Sequence, residues 1–261
     1  MLLIAGSDTP GFRWTPAMVD PIADAGYRVV RFDNRDSGRS TRFGADAVYR
    51  LEDLAADAVG LLERLGIGAA HLIGSSMGGM VAQVMALDHP SRVGSLTLIA
   101  TSAAPGDERL PGPDEAFVEA MAQRLFAGPP ADTEGRVDWL VEFESLVAGS
   151  LYPFDRAREE ALAEVHLATG WVAESGHGLA VAGSPGRLDR LGDIAVPTLV
   201  VHGTADPVFP IEHGRALAVG VDGAVLIEVD GLGHEVRDEL FADLMPVLLH
   251  HLRESSRFTA G

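Results

Sequence analysis

The chain has 261 residues, of which 47% are hydrophobic, a length and content that favour one large domain or a core with an insertion. Its net charge of −18 disfavours nucleic acid and anionic membranes as partners. Cysteine and lysine are both absent, which excludes disulfides, cysteine zinc sites, lysine Schiff bases and P-loop lysines.

Short apolar runs rich in β-branched residues alternate with helical patterns, which predicts an α/β domain with a mostly parallel sheet flanked by helices. The first run, MLLIA, has no basic leader, and no apolar run approaches the roughly 20 residues of a membrane span, so we expect a cytoplasmic protein. The predicted strands are residues 1–5, 27–32, 69–74, 93–100, 196–203 and 224–229. The predicted helices between and after them are residues 51–65, 80–89 and 235–252.

One region interrupts this alternation. Residues 105–187 contain helical patterns without a convincing strand, so we interpret them as a helical cap inserted between two parts of the core, 1–104 and 188–261. The helical patterns of the insertion cover residues 113–128, 136–149 and 156–176. Trp139 and Trp171 fall in this insertion and are candidates for lining a substrate pocket, with ordinary packing as the alternative.

The stretch from Gly74 to Gly78 fits the pattern G-x-S-x-G, in which a strand turns abruptly into a helix. Glycines on either side of Ser76 permit the crowding of such a turn because they carry no Cβ. The helix N-terminus that follows favours negative charge on a bound carbonyl group. The five residues alone are weak evidence, but an apolar strand precedes them and an amphipathic helix follows. Ser76 is therefore predicted to be a nucleophile.

A serine nucleophile needs a carboxylate and a histidine, which in this arrangement follow it along the chain in that order. Asp206 lies just past one predicted strand, and His234 lies just past the next. Because the carboxyl ends of parallel strands meet at one edge of a sheet, the three residues can converge there. Taken singly, His234 fits an ordinary loop histidine and Asp206 fits a turn or a helix cap. Together they predict a triad in which Asp206 orients His234 and His234 takes the proton of Ser76.

With these residues the chain resembles the α/β-hydrolase superfamily from near residue 1 to about residue 253. Within it, the chain is similar to aclacinomycin methylesterase and related small serine esterases of polyketide tailoring. The segments that carry this similarity are RFDNRDSGRS, LEDLAADAVGLLERLGIGAAHLIGSSMGG, AQVMALDHPSRVGSLTLI, VPTLVVHGTADPVFP and GLGHEV. The resemblance implies an α/β-hydrolase fold in which Ser76 is the nucleophile, Asp206 the acid and His234 the base.

The same resemblance implies an oxyanion hole. One donor is the backbone N–H of Met77, after the nucleophile, and the other comes from the loop after the first strand, where Ser7 is the expected residue. Many hydrolases have a His-Gly pair just before this position, where the present chain has Ala-Gly. Phe12 and Trp14 follow in this loop and are candidates to flank the substrate pocket, with packing of the loop as the alternative.

Two features depart from the family pattern. The family has a β-hairpin before the strand predicted at residues 1–5, and this hairpin is missing from the sequence, so the strand at 27–32 is expected to form the edge of the sheet. Asp36 stands where many relatives have glycine. We interpret the loop Asp33–Ser40 as an ion-paired structural turn rather than a catalytic site.

The expected activity is hydrolysis of a small or medium apolar carboxylic ester, with the methyl ester of a polyketide-type metabolite as one candidate, through an acyl-enzyme on Ser76. No cofactor and no metal are expected. His166 and His177, in the predicted cap, are candidates for contact with the substrate. C–C bond hydrolysis, lactone opening and acyl transfer on the same triad stay open, as does a non-hydrolytic ligand-binding role, against which the complete candidate triad argues. The oligomeric state also stays open.

Overall fold

The computed structural model describes residues 1–44, 47–173 and 175–258, and the side chains of all of these except 256–258. In this part of the chain, six strands form one sheet: β1 (Leu2–Ile4), β2 (Val30–Arg31), β3 (Ala70–Ser75), β4 (Val93–Ile99), β5 (Thr198–Gly203) and β6 (Val225–Val229). The nine α-helices found there are α1 (Pro16–Asp24), α2 (Leu51–Arg64), α3 (Met77–Asp88), α4 (Glu115–Ala127), α5 (Thr133–Val147), α6 (Arg156–Thr169), α7 (His177–Gly183), α8 (Glu212–Gly220) and α9 (Asp238–Phe258). Glu174, within one predicted helical segment, and residues 259–261, at the end of the predicted core, lie outside the described residues.

The strand order is β2-β1-β3-β4-β5-β6, and every neighbouring pair is parallel. The chain runs from β1 outward to β2 and then returns to the other side of β1 to form β3. This reversal leaves a crevice at the carboxyl ends of β1 and β3, where open α/β sheets bind ligands. All six predicted strands are present, which confirms the predicted α/β class, and β2 forms an edge of the sheet as expected.

Alternate residues of the strands enter two separate cores, one on each face of the sheet. Leu2 and Ile4 of β1 pack with residues of α2 and α3, whereas Leu3 packs with residues of α1 and α9. In β3 the same alternation separates Leu72 from Ile73. Since both faces are covered by helices, the strands read as nearly continuous apolar runs in the sequence.

Two core helices, α1 and α8, were not predicted from the sequence. Each has only nine residues, and α1 begins with Pro16 and contains Pro21, which obscures its apolar periodicity. The predicted helix at 80–89 begins earlier in the structure, at Met77, directly after the turn that follows β3. Of the helices described, none is both long enough and apolar enough to cross a membrane.

Four helices, α4 to α7, lie between β4 and β5, within the predicted insertion. They bury few side chains. In α4 none of the described residues is buried, and in α5 only Val141 and Val147 are. These helices therefore contribute little to either core of the sheet.

Candidate active site

Ser76 lies at the sharp turn between β3 and α3. Its backbone has φ 51° and ψ −122°, a conformation that is sparsely populated for a residue with a Cβ and that surrounding contacts must maintain. Its N–H donates to the Ile99 carbonyl oxygen at 2.9 Å, and its own carbonyl oxygen accepts from the Thr101 hydroxyl at 2.6 Å. The end of β4 thus holds the turn in place.

Two glycines make this turn sterically possible. A Cβ on Gly74 would lie 2.3 Å from the carbonyl oxygen of Gly78, and a Cβ on Gly78 would lie 2.0 Å from the carbonyl oxygen of Ile4. Both contacts are with backbone atoms, which cannot rotate away, so neither position accepts a side chain. Gly78 thereby allows α3 to start against the end of β1, next to the loop that follows it.

His234 and Asp206 complete a chain of hydrogen bonds that begins at Ser76. The Ser76 Oγ lies 2.9 Å from His234 Nε2, and His234 Nδ1 lies 2.8 Å from Asp206 Oδ2. An ionised carboxylate can only accept, which assigns the proton to Nδ1 and leaves Nε2 to accept from the serine hydroxyl. The structure therefore brings together the three residues that the sequence motif and the strand ends singled out.

Asp206 is buried and has several hydrogen-bond partners. Its Oδ1 accepts the N–H groups of Val208 and Phe209 at 2.8 and 2.9 Å, and its Oδ2 also lies 3.4 Å from His202 Nε2. Burial alone would raise the pKa of Asp206, but the charge of His234 and hydrogen bonds from the two histidines outweigh it and hold the pKa below its usual range. Asp206 is therefore ionised at neutral pH. The contact between Asp206 and His202 was not predicted from the sequence.

The loop that carries His234 is held by the end of α5. The His234 backbone N–H donates to the Val147 carbonyl oxygen at 2.8 Å. Two residues further on, the Gly149 N–H donates to the Glu235 carboxylate at 3.3 Å. The approach is close enough that a Cβ on Gly149 would lie 2.1 Å from the Gly231 carbonyl oxygen. The inserted helices thus contribute directly to the position of the histidine.

A cavity of about 500 Å³ opens over Ser76. Its wall nearest the sheet, which we call the floor, consists of Ala5, Gly6, Ser7, Ser75, Ser76, Met77 and Met80. The opposite wall, which we call the roof, comes from α4, α5 and α7 and consists of Phe117, Phe143, Glu144, Val147, Gly178, Val181 and Ala182. Further apolar lining is provided by Trp14, Val208 and Phe209. The cavity is thus mainly apolar, with the serine and histidine at its base.

Three charged side chains also line this cavity: Arg13, Glu144 and Glu235. Arg13 pairs with the roof residue Glu144 at 3.0 Å and with Glu159 at 2.7 Å. Burial raises the pKa of Glu144, against the opposing effect of Arg13, and burial likewise raises the pKa of Glu235. Among the described lining residues Arg13 is the one permanent cation, and it is already shared by two glutamates.

The two residues predicted to form the oxyanion hole, Ser7 and Met77, both line the cavity beside Ser76. Met77 is the first residue of α3, and N–H groups in the first turn of a helix have no acceptor within it. Ser7 belongs to a turn that is closed by a hydrogen bond from the Thr9 N–H to the Gly6 carbonyl oxygen at 3.3 Å. Among the described residues, no group of three or more potential ligands could hold a metal ion.

The four aromatic residues predicted for the pocket are separated in the structure. Trp14 lines the cavity. Trp139 instead packs under the guanidinium of Arg124, at 3.9 Å from the ring centre. Phe12 packs edge-on against a histidine ring of α6, and Trp171 lines a smaller neighbouring cavity of about 80 Å³. The roof aromatic residues were not predicted, because a helix that buries so little has no clear periodicity to show which side faces the substrate.

The two histidines predicted as substrate contacts have different surroundings. His166 of α6 lines the smaller cavity, where burial and the nearby charge of Arg13 lower its pKa to about 4. His177, at the start of α7, is fully buried and is not part of the lining of either cavity. Neither side chain lines the cavity above Ser76.

Asp36 has a structural role in the loop after β2. Its φ of 60° lies in the left-handed region, which glycine adopts without the steric cost that a Cβ brings. Its carboxylate accepts from two backbone N–H groups of the same loop and from the Tyr49 hydroxyl at 2.9 Å. The ion pair of this loop is made by its neighbour Arg35, with Asp57 at 2.7 Å.

A family model described as alpha/beta hydrolase fold matches residues 5–236. A rhodomycin D methylesterase of Streptomyces sp. (strain C5) is 30% identical over 275 aligned positions, covering 98% of this chain and 91% of that protein. A 2-hydroxy-6-oxononadienedioate/2-hydroxy-6-oxononatrienedioate hydrolase of Paraburkholderia xenovorans is 30% identical, covering 90% and 79%. Among solved structures, a thermophilic esterase from Thermogutta terrifontis superposes with a TM-score of 0.77 at 25% identity, covering 97% of this chain and 89% of the other.

Proposed function

The chain belongs to the α/β-hydrolase family and is a carboxylic ester hydrolase, and we propose that it acts through an acyl-enzyme on Ser76, with His234 as the base and Asp206 as the acid. The observation that best supports this mechanism is the unbroken pair of hydrogen bonds, 2.9 and 2.8 Å long, that links the three side chains. A serine with a base in hydrogen-bond contact, itself oriented by a carboxylate, is an activated nucleophile.

In acylation, the Ser76 Oγ attacks the ester carbonyl carbon while His234 Nε2 accepts the hydroxyl proton. The carbonyl oxygen becomes an oxyanion, for which the N–H groups of Met77 and Ser7 are the proposed donors. The tetrahedral intermediate then expels the alkoxide, which takes the proton from His234 and leaves as the alcohol. In deacylation His234 takes a proton from water, the hydroxide attacks the acyl carbon, and Ser76 regains its proton as the acid leaves.

The substrate we propose is an uncharged, largely apolar ester, with the methyl ester of a polyketide-type metabolite as the leading candidate. The aromatic and aliphatic lining supports an apolar acyl group, and about 500 Å³ falls in the range of small-molecule sites. The match to a protein named rhodomycin D methylesterase along nearly the whole chain supports methanol as the leaving alcohol.

The charges of the cavity argue against an anionic substrate and therefore against C–C bond hydrolysis as the second candidate. The relative from Paraburkholderia is named for a dienedioate, which carries two carboxylates. In the present cavity a substrate carboxylate would compete with Glu144 and Glu159 for the guanidinium of Arg13. Like charges repel strongly where the surroundings have a low dielectric constant, so neutral esters should bind better than anionic ones.

Intact-mass labelling with a fluorophosphonate tests the nucleophile. We expect a single adduct on the wild type and none on Ser76→Ala, because phosphonylation needs an activated serine. His234→Ala should react far more slowly, while Ser75→Ala, which changes the adjacent serine of the same cavity, should still be labelled. A folded wild type without an adduct, or an adduct that persists in Ser76→Ala, would contradict the proposed mechanism.

A pair of substrates with one acyl skeleton tests the substrate class. The first is a methyl ester, and the second carries an additional free carboxylate. We expect kcat/KM to favour the neutral ester by about tenfold or more, which corresponds to about 1.4 kcal/mol. Glu144→Gln should narrow this preference, since it removes a negative charge at nearly constant volume. Equal rates on both substrates, or a faster reaction on a dienedioate, would refute the substrate class and leave the labelling result unaffected.

A further inference from the structure

The loop that carries Ser7 contains a strained residue. Between β1 and α1 the backbone turns at Gly6 to Thr9, and within this turn Asp8 has a φ of 57°, in the left-handed region that is unfavourable for a side chain with a Cβ. Such a conformation persists only where contacts from outside the turn maintain it.

His177 provides such a contact from the start of α7. Its Nδ1 lies 2.9 Å from the backbone nitrogen of Asp8, and its Nε2 lies 2.8 Å from the carbonyl oxygen of Arg35. A carbonyl oxygen can only accept and a backbone N–H can only donate, so the proton is assigned to Nε2 and the lone pair to Nδ1. The fully buried ring thus joins the turn beside Ser7 to the loop that follows β2.

A second side chain of the same segment supports the turn. The Ser175 hydroxyl donates to the Asp8 carboxylate. The residues just before and at the start of α7 therefore hold both the backbone and the side chain of Asp8.

These contacts fix the direction of the Ser7 N–H. The Gly6 carbonyl oxygen and the Ser7 N–H belong to one peptide plane and point in opposite directions. Because the Gly6 oxygen accepts from the Thr9 N–H, the orientation of this plane is set. His177 sets the following plane through the Asp8 N–H. Two consecutive planes are then fixed on either side of the Ser7 Cα.

We propose that His177 is a positioning residue for the oxyanion hole, which aims the Ser7 N–H at the oxyanion of the transition state by holding the Asp8 amide. The inference rests on the proposed function, in which Ser7 is the second oxyanion donor. A donor of this kind acts mainly on the transition state, so a loss of its orientation should lower kcat more than it changes KM.

Two substitutions separate the two bonds of the ring. An asparagine side chain ends near the position of Nδ1 and can accept from the Asp8 N–H, whereas a glutamine side chain reaches the position of Nε2 and can donate to the Arg35 carbonyl oxygen. On a neutral methyl ester we expect His177→Gln to lower kcat by about 10-fold to 100-fold, with KM changed less than about threefold. The decrease in kcat should be several-fold smaller for His177→Asn than for His177→Gln.

A control variant, measured by thermal unfolding and by kinetics, distinguishes a loss of oxyanion-hole geometry from a general loss of stability. His251→Asn is the matched control, because His251 of α9 donates to the Leu96 carbonyl oxygen at 3.0 Å, away from the cavity. It should lower Tm and leave kcat unchanged. Equal loss of kcat in the Asn and Gln variants, or no loss in either, would overturn the inference. A wild type that takes no fluorophosphonate label would overturn the proposed function instead, so the two failures are distinguishable.

Discussion

The floor and the roof of the cavity are built in different ways. On the floor side, α3 buries ten of its 12 residues, and its first turn rests against the backbone of β1. On the roof side, α4 buries none of its 13 described residues. The floor therefore derives its geometry from close-packed backbone, in which a shift of one atom is resisted by many contacts. The roof has few such constraints.

Ion pairs on the surface of the inserted helices α5 and α6 do not replace this packing. Arg156 of α6 pairs with Asp138 of α5 and with Glu160 of its own helix, and all three side chains are about half exposed. Exposed pairs of this kind each contribute about 0–1 kcal/mol. The difference agrees with the proposed function, in which the floor carries the nucleophile and the roof shapes the space for the substrate. The contacts from Val147 to His234 and from His177 to Asp8 are the exceptions.

Asp206→Asn is the substitution from which we expect the largest effect on catalysis. Asparagine can still accept the two N–H groups that Asp206 accepts, so the loop should keep its shape. Its amide would face His234 Nδ1 with a donor, which favours the wrong tautomer of the ring and places a proton on Nε2. We expect kcat to fall by about 10⁴-fold while Tm changes little, measured by steady-state kinetics and thermal unfolding.

A loss of less than tenfold would show that Asp206 does not set the tautomer of His234. For the roof we expect the opposite pattern: Phe143→Ala should change KM more than kcat. If Phe143→Ala reduced kcat as strongly as Asp206→Asn, the assignment of chemistry to the floor would be wrong.

A pair of glycine substitutions tests the packing of the two walls directly. Gly78→Ala on the floor side would put a Cβ 2.0 Å from the Ile4 carbonyl oxygen, so both β1 and α3 must move. We expect a loss of several kcal/mol in the free energy of unfolding, measured by urea titration, on the order of that for other severe overpacking. Gly178→Ala in the roof meets no described atom within 4 Å. It should leave stability unchanged or raise it by up to about 1 kcal/mol.

If both alanine variants were equally stable, the close packing of the floor would not be a constraint on the fold. If both were severely destabilised, the roof would be as tightly built as the floor.

The floor could be predicted from the sequence, and physical reasons explain why. The four inner strands, β1, β3, β4 and β5, are buried on both faces, so their apolar runs stand out. The G-x-S-x-G pattern reflects backbone contacts that only glycine allows. The placement of Asp206 and His234 after successive strands then suffices to bring them to one edge of the sheet. Helix α3 was predicted from residue 80, whereas in the structure it begins at Met77, so that its first turn belongs to the motif itself.

The roof could not be predicted to the same degree. Its helices face substrate space on one side and solvent on the other, so their apolar residues do not distinguish packing from lining, as Trp139 and Trp171 illustrate. The role of His177 depends on the tautomer that two distant backbone groups select, and no local pattern encodes it. The pairing of Arg13 with Glu144 joins residues far apart in the chain and carries no signal in a single sequence.

The smallest effect that we expect is on the pH dependence of stability. A group near the roof and a group of the triad should lose their contributions to stability in different pH ranges. His166 lies behind the roof with its pKa lowered to about 4 from 6.5, so as the pH falls below 6.5 the unfolded chain takes up the proton before the folded chain does. Stability is therefore lost between pH 6.5 and 4, whereas Asp206, whose pKa is lowered from 3.8, loses its contribution only below that value. Between pH 7.5 and pH 5 we expect the wild type to lose about 2 kcal/mol of stability through His166, so Tm should fall by about 4–8 °C less in His166→Gln than in the wild type. An identical loss of Tm in both proteins would place the acid-sensitive group elsewhere and would remove this distinction between floor and roof.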